Sequence, residues 1–296
     1  MTIWKFNFKI MMQITRIEEN GKRFYIYEKD DLKLKGLSVT SFIDLFKDNS
    51  WKQGWLNRLA KNVEDAEFYS TKDLKILAQN EADKITKVAT DHGTHYHETV
   101  EKYRLGKCTI DEIQSEQLRR FLNISKPVKH NDTETKPELP IFYADKQIQI
   151  GGTLDDLLNL NCNKLYDKET DFELANERRN FIIDWKFPQY PKYSESNLGY
   201  MVQLAIYRLG LKFSYGLEID DAMIVMTPKF TSNKKTKLCD VIYLYYLDEQ
   251  SLDYFSQQFF KMVDAFNSGD CSKFNWFNFS KETKSNNFLA KRVYLL

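Results

Sequence analysis

The stretch FIIDWKF, residues 181–187, constrains this chain more than any other. Phe181, Ile182 and Ile183 form an apolar, β-favouring run, which marks a buried strand. That strand then delivers Asp184 and Lys186. Side chains alternate along a strand, so these two point one way and Trp185 points the other. An aspartate and a lysine emerging from a buried strand are costly to desolvate without a partner or an ion. The fold has to provide one.

A second carboxylate lies upstream. IFYADKQIQIGGTLDDLLNL (141–160) reads as two strands, with Gly151-Gly152 kinking the second near its start and Asp155 ending GGTLD. Acidic side chains from two neighbouring strands make a hard-oxygen site suited to Mg²⁺ or Mn²⁺. A lysine beside them can hold a water or stabilise charge developing on a phosphate. The flanking pattern is mixed. Residues 3–28 read as a strand meander, IWKFNFKI then RFYIYEK, with a turn near Asn20-Gly21. A helical region covers about 41–125, and 126–140 is the best loop. A polar insertion (161–180) precedes FIIDWKF, and an apolar-faced helix, 197–213, follows it. The strands DAMIVMTP and DVIYLYYL then flank a basic loop, before a last helix at about 249–268. This order predicts an α/β core at 136–268, a meander at 1–40 and a tail at 269–296, all within one domain, 1–296.

Composition narrows the classes. Lys plus Arg (43) nearly cancel Asp plus Glu (42), which excludes a generally basic coat for nucleic acid but says nothing of a local groove. Cys108, Cys162, Cys239 and Cys271 form no CxxC pair, so a zinc ribbon, an iron–sulfur cluster and a disulfide framework are not expected. No run approaches the ~18–20 apolar residues of a membrane span, and no membrane partner is expected.

DHGTHYHETVEKY (91–103) gathers three of the four histidines. Ile85, Val88, Ala89, His92, Tyr96, Val100 and Tyr103 recur at helical spacing, so 81–105 is one predicted helix. His97 and Glu101, four apart, share a face beside that apolar stripe. HETVE is one residue from the HExxH of zinc proteases, but Glu101 stands where the second histidine belongs.

Together these motifs resemble the PD-(D/E)XK nuclease superfamily in its RecB-like branch, over about residues 35–250. The family pattern is met, in order, by Gly93-Thr94, His97 and Glu101; Glu138; Gly152 and Asp155; Asp184 and Lys186; Gln203 and Tyr207. Within the branch, LSVTSFI, SWKQGWL and the run from DWK to the Gln203 helix resemble phage-type exonucleases and the mitochondrial genome maintenance exonuclease. The resemblance implies a restriction-endonuclease-like core: a central mixed sheet flanked by helices, with the helical region arching over the site. It implies metal ligation by His97, Asp155, Asp184 and the Trp185 carbonyl, and a catalytic set of Asp155, Asp184, Lys186 and Glu101. Glu138, Gln203, Tyr207 and Thr94 are implied as supporting or DNA-contacting. Phe187 stands where the family usually has threonine, and the 161–180 insertion is longer than usual.

The bland readings are ordinary. His92 falls on the core stripe, His95 has no assigned role, and Asp156 is expected as a solvated or hydrogen-bonded neighbour. Lys229, Lys234, Lys235 and Lys237 read as a solvated turn or as phosphate contacts. Trp51, Trp55, Phe68 and Tyr69 read as core or as base-stacking residues. The expected function is a Mg²⁺- or Mn²⁺-dependent DNA exonuclease acting on single-stranded ends in replication, recombination or repair, alongside proteins of those processes, in the cytoplasm of a bacterial or phage-infected cell. The alternatives are an inactive nuclease-fold DNA-binding or assembly subunit, and a structure-specific endonuclease of the same superfamily.

Overall fold

A computed structural model describes residues 12–47, 50–167, 172–173, 177–192, 194–219, 221–231 and 237–295. The chain begins with three antiparallel strands: β1 (Gln13–Glu19), β2 (Lys22–Lys29) and β3 (Leu32–Ser38). Asn20 and Gly21 between the first two both have positive φ, as the tightest hairpin turns require. The expected strand IWKFNFKI lies outside the described residues.

Helices follow: α1 (Val39–Asp44), α2 (Ser50–Lys61), α3 (Thr71–Arg104) and α4 (Glu116–Ile124). The helix expected over 81–105 therefore starts a decade earlier. Ser70 caps it by accepting the Asp73 N–H at 3.2 Å, and no breaker interrupts the run.

The stretch expected as a loop, 126–140, holds short strands instead: β4 (Ser125–Pro127), then a hairpin of β5 (Lys129–His130) and β6 (Thr133–Glu134). Next come β7 (Leu139–Ala144), β8 (Gln149–Leu154), β9 (Asp156–Asn161), β10 (Leu165–Asp167), β11 (Phe172–Glu173) and β12 (Arg178–Lys186). The chain closes with α5 (Leu198–Tyr215), β13 (Asp221–Met226), β14 (Tyr243–Leu247), α6 (Glu249–Asn267), α7 (Trp276–Ser285) and β15 (Lys291–Leu295).

Among the described residues the strands form a five-stranded sheet, β1-β2-β3-β8-β7, an eight-stranded sheet, β11-β10-β15-β14-β13-β12-β9-β4, and the small hairpin. Both large sheets mix parallel and antiparallel pairs; β12 runs parallel to β13 and antiparallel to β9. The architecture is mixed α/β.

One expectation changes here, and two further segments gain a place in the larger sheet. The second strand of 141–160 does not kink at Gly151-Gly152, which pair regularly with Phe142 and Ile141. It leaves one sheet and joins the other at Asp155. The 161–180 insertion extends the larger sheet at its far edge through β10 and β11. The tail is structured, because β15 inserts between β10 and β14. Sequence-distant pairing of this kind leaves no local signature.

The apolar alternation along β12 places its two faces. Ile182 packs with α5 and α6, whereas Phe181, Ile183 and Trp185 pack with α4 and Val100 of α3. The central strands are thus covered on both sides, and the C-terminal end of β12 is where charge emerges. No helix among the described residues is long and apolar enough to cross a membrane.

Candidate metal centre

Asp155 sits at the handover between β8 and β9, where the ladder breaks and both of its flanks are fixed. Its Oδ2 accepts the Trp185 N–H at 2.7 Å, and its carbonyl accepts the Glu138 N–H at 3.0 Å. Asp184, on the neighbouring strand, is fully buried. Its Oδ1 accepts from Lys186 Nζ at 2.6 Å and from Gln203 Nε2 at 3.2 Å. Its Oδ2 has no partner among the described residues. A buried carboxylate oxygen without a donor is costly, so it marks a place for a cation or a water.

Helix α5 supplies the support. Gln203 Nε2 also donates to Tyr207 Oη at 2.9 Å, one turn on. The Tyr207 ring lies so close to β8 that a Cβ at Gly152 would come within 2.7 Å of Tyr207 Cε1. Lys186 Nζ also donates to the Trp185 carbonyl at 3.2 Å and lies 4.6 Å from the Tyr200 ring centre.

Helix α3 brings His97 from the other side. Near its C-terminus Arg104 Nε meets Asp156 Oδ2 at 2.9 Å, and Arg104 Nη2 donates to Ser125 Oγ at 2.7 Å. Both charged side chains are 3% exposed, so of the two readings of Asp156 the hydrogen-bonded one holds, as a buried anchor. Two turns back, the His97 ring meets the edge of Phe187 at 5.0 Å. Phe187 is itself stacked on Tyr96 at 5.1 Å, and His92 Nδ1 lies 3.3 Å from the Phe187 carbonyl oxygen. Where a threonine hydroxyl was expected, an aromatic ring orients the histidine.

His97, Glu138 and Asp155 each present a ligand atom, all within 4.8 Å of one another. Glu138 adopts a left-handed backbone, φ 56°, which is uncommon for a residue with a long side chain and marks stored strain. Strain of this kind concentrates at functional sites.

Electrostatics fit the same picture. Burial, with Lys186 nearby, pushes His97 down to about 4 against an opposing pull from Asp184, so the imidazole is neutral at pH 7 and free to ligate. Burial raises Asp184 to about 6, against Lys186 and aided by Asp155. Burial likewise raises Asp155, against Lys186 and the Trp185 N–H. Glu138 has surface open to solvent at the rim, yet protein encloses enough of its carboxyl for desolvation, Asp155 and Glu101 to lift it to about 7. Burial alone would lower Lys186, but Asp184 and Asp155 outweigh it and keep the ammonium charged. A divalent ion would relieve this crowding of carboxylates; their oxygens suit Mg²⁺ or Mn²⁺, whereas the imidazole also suits softer ions such as Zn²⁺.

A cavity of about 250 Å³ joins these groups, lined by His97, Glu138, Asp155, Lys186, Gln203 and Tyr207 among others. Asp184 lies beneath its floor. A larger cleft, about 850 Å³, opens between α2 and α3 and is lined by residues such as Leu59, Val63, Leu77, Glu81 and Lys87. It lacks a convergent ligand cluster, so the smaller cavity is the chemical one.

The expected residues divide accordingly. The compact set that could hold a metal is His97, Glu138 and Asp155, with Asp184 adjoining; the Trp185 carbonyl accepts from Lys186. Glu101 is half-buried one turn past His97 and its charge reaches Glu138, but it does not line the cavity. Thr94 is exposed and apart from it. Phe68 and Tyr69 are exposed, at 81% and 46%, which rules out core packing for both. Trp55 is half-buried, and the Trp51 side chain, Lys234 and Lys235 lie outside the described residues. Lys229 rests against the Phe230 ring.

The cavity also has walls the motifs did not announce: Arg16 and Arg23 from β1 and β2, Tyr25, and Tyr200. Only the pairing of distant segments brings them there. Ser38 and Thr40, from the LSVTSFI segment, complete it. Neither the protein-family models nor the curated proteins compared with this sequence yield a match.

Proposed function

We propose that this chain is a divalent-metal-dependent phosphodiesterase of the PD-(D/E)XK type that degrades DNA, acting on single-stranded ends. The observation that carries the reading is the convergence of Asp155, Asp184 and Lys186 with His97 and Glu138 around one cavity, with Asp184 Oδ2 left without a donor. His97, Glu138 and Asp155, adjoined by Asp184, would hold Mg²⁺ or Mn²⁺, which supplies charge neutralisation at the phosphate and a more acidic bound water.

The protein groups have separable tasks. Lys186, held charged by Asp184 and braced on Tyr200, offers N–H donors to negative charge growing on the phosphoryl oxygens. Gln203 and Tyr207 keep the Asp184 carboxylate from rotating. The Trp185 N–H does the same for Asp155. His97, neutral and edge-on to Phe187, ligates without competing for a proton. With base edges unread, sequence preference should be low. The unpaired state of all four cysteines fits a reducing, cytoplasmic setting.

Linear and circular single-stranded DNA, end-labelled where possible, with Mg²⁺ or Mn²⁺, test the reading. The wild type should release label from linear substrate only, and Lys186→Ala and Asp184→Asn should each lose about 100–1000-fold or more, as for a lost transition-state donor. Cleavage of circles would make it an endonuclease. Full activity in both variants would overturn the assignment.

A further inference from the structure

We propose that Arg16 and Arg23 form a second phosphate subsite in the wall of the same cavity, holding the substrate one phosphate away from the bond that is cut. This deepens the nuclease reading and rests on it.

The register of the meander places the two arginines together. Arg16 pairs with Tyr25, and Glu18 with Arg23, so the arginines are diagonal neighbours on one face of the sheet. Such neighbours lie about 7–8 Å apart at the backbone, within which two long side chains can meet on one anion. Both line the cavity that holds His97, Glu138, Asp155 and Lys186.

Among the described residues, neither guanidinium makes an ion pair or a hydrogen bond. Their sheet is not short of acids: Lys33 is paired with Glu28, and Lys35 with Glu19. Glu18 stands across the ladder from Arg23 without bridging it. Among the described residues, Arg16 lies near enough to Glu138, in the candidate ligand cluster, for its charge to oppose the rise in that carboxyl. Two like charges left to converge on a cavity repel each other unless an anion joins them. The guanidinium fork matches a phosphate's oxygens in a way that an ammonium does not.

The cavity thus has an acidic part that takes a cation and a basic part that takes an anion. A polynucleotide bound through a divalent ion presents both. The Tyr25 and Thr153 hydroxyls share a hydrogen bond at 2.9 Å in this wall, which leaves one O–H free to donate to the same group. The phosphate is either a terminal monoester or the next internal diester.

The test is oligonucleotide binding in Ca²⁺, by fluorescence anisotropy across a salt series, for wild type, Arg16→Gln, Arg23→Gln and the double variant. Both side chains are exposed strand positions, and melting curves check the fold. The slope of log affinity against log salt should fall by about 0.7 for each arginine removed, the value for one single-strand phosphate contact. Affinity should drop several-fold per arginine, and Arg23→Lys should recover part of it. Comparing 5′-phosphate, 3′-phosphate and unphosphorylated ends assigns the anion. A loss seen only with a terminal phosphate means a monoester, and an equal loss on all three means an internal diester. Wild-type affinity and slope in the double variant would overturn the subsite. Wild-type protein that binds through the arginines but never cleaves would retain the subsite and remove the nuclease reading. Cleavage with indifferent arginines would do the reverse.

Discussion

Gly152 and Glu138 are the positions where backbone chemistry most directly shapes the site. At Gly152 the constraint is contact: the Tyr207 ring occupies the space a Cβ would need. Gly152→Ala should therefore push Tyr207 away, loosen Gln203 and so free Asp184. The expected cost is about 1–3 kcal/mol of stability, as for other overpacked sites, read by urea denaturation. Activity should fall further than in a variant of equal stability made elsewhere in the core. At Glu138 the constraint is strain, since a left-handed glutamate persists only where its surroundings hold it. The sequence pattern pointed to Gly152 and Glu138 as motif positions. It did not say that the glycine serves a tyrosine, and it left the glutamate between an ordinary loop carboxylate and a metal-site residue; the structure sets its ligand atom within 4.8 Å of those of His97 and Asp155.

At the scale of elements, two segments were legible because each carries its own signature. FIIDWKF announced a buried strand by composition, and 197–213 announced a helix by its apolar face; both stand within a few residues of their observed ends. β10, β15 and the β5–β6 hairpin were not legible, because strands of two to five residues take their identity from partners distant in sequence. The same reason hid Arg16 and Arg23: which face of a meander meets a cavity depends on the register of three strands and on what packs against them. The tether of α3 was hidden as well, since nothing local links Arg104 to Asp156, 52 residues further on. Arg104→Ala should leave the Asp156 carboxylate buried without its counter-charge and cost about 3–5 kcal/mol. Calorimetric titration with Mn²⁺ should then show weaker binding, because the helix that presents His97 has lost its anchor. Unchanged stability would mean that the pair is not what holds α3 to β9.

For the molecule as a whole, the crowded carboxylates couple stability to pH and to metal. Glu138 moves from 4.5 to about 7 on folding, and Asp184 from 3.8 to about 6. Raised acids favour the protonated folded state. Stability from this source is complete below the unfolded values and is lost as pH rises through about 6 and then about 7. Metal-free protein should therefore melt at lower temperature at pH 8 than at pH 5.5, as far as these two groups decide it. On the proposed function Mn²⁺ would compete with the same protons, so the rise in melting temperature that it causes should be larger at pH 8. Differential scanning fluorimetry with and without Mn²⁺ at the two pH values checks this; an equal shift at both would show that neither group yields a proton to the metal.

One strand, residues 149–161, serves two sheets and changes allegiance at Asp155. Arg16 and Arg23 ride on the first sheet, and Asp184 and Lys186 on the second. Asp155 therefore stands where a pivot would: rocking one sheet against the other would swing the arginines relative to the lysine and displace the aspartate least. On the proposed function, the hold on a polynucleotide would adjust as a strand slides through, while the carboxylate proposed to hold the metal would keep its place at the axis.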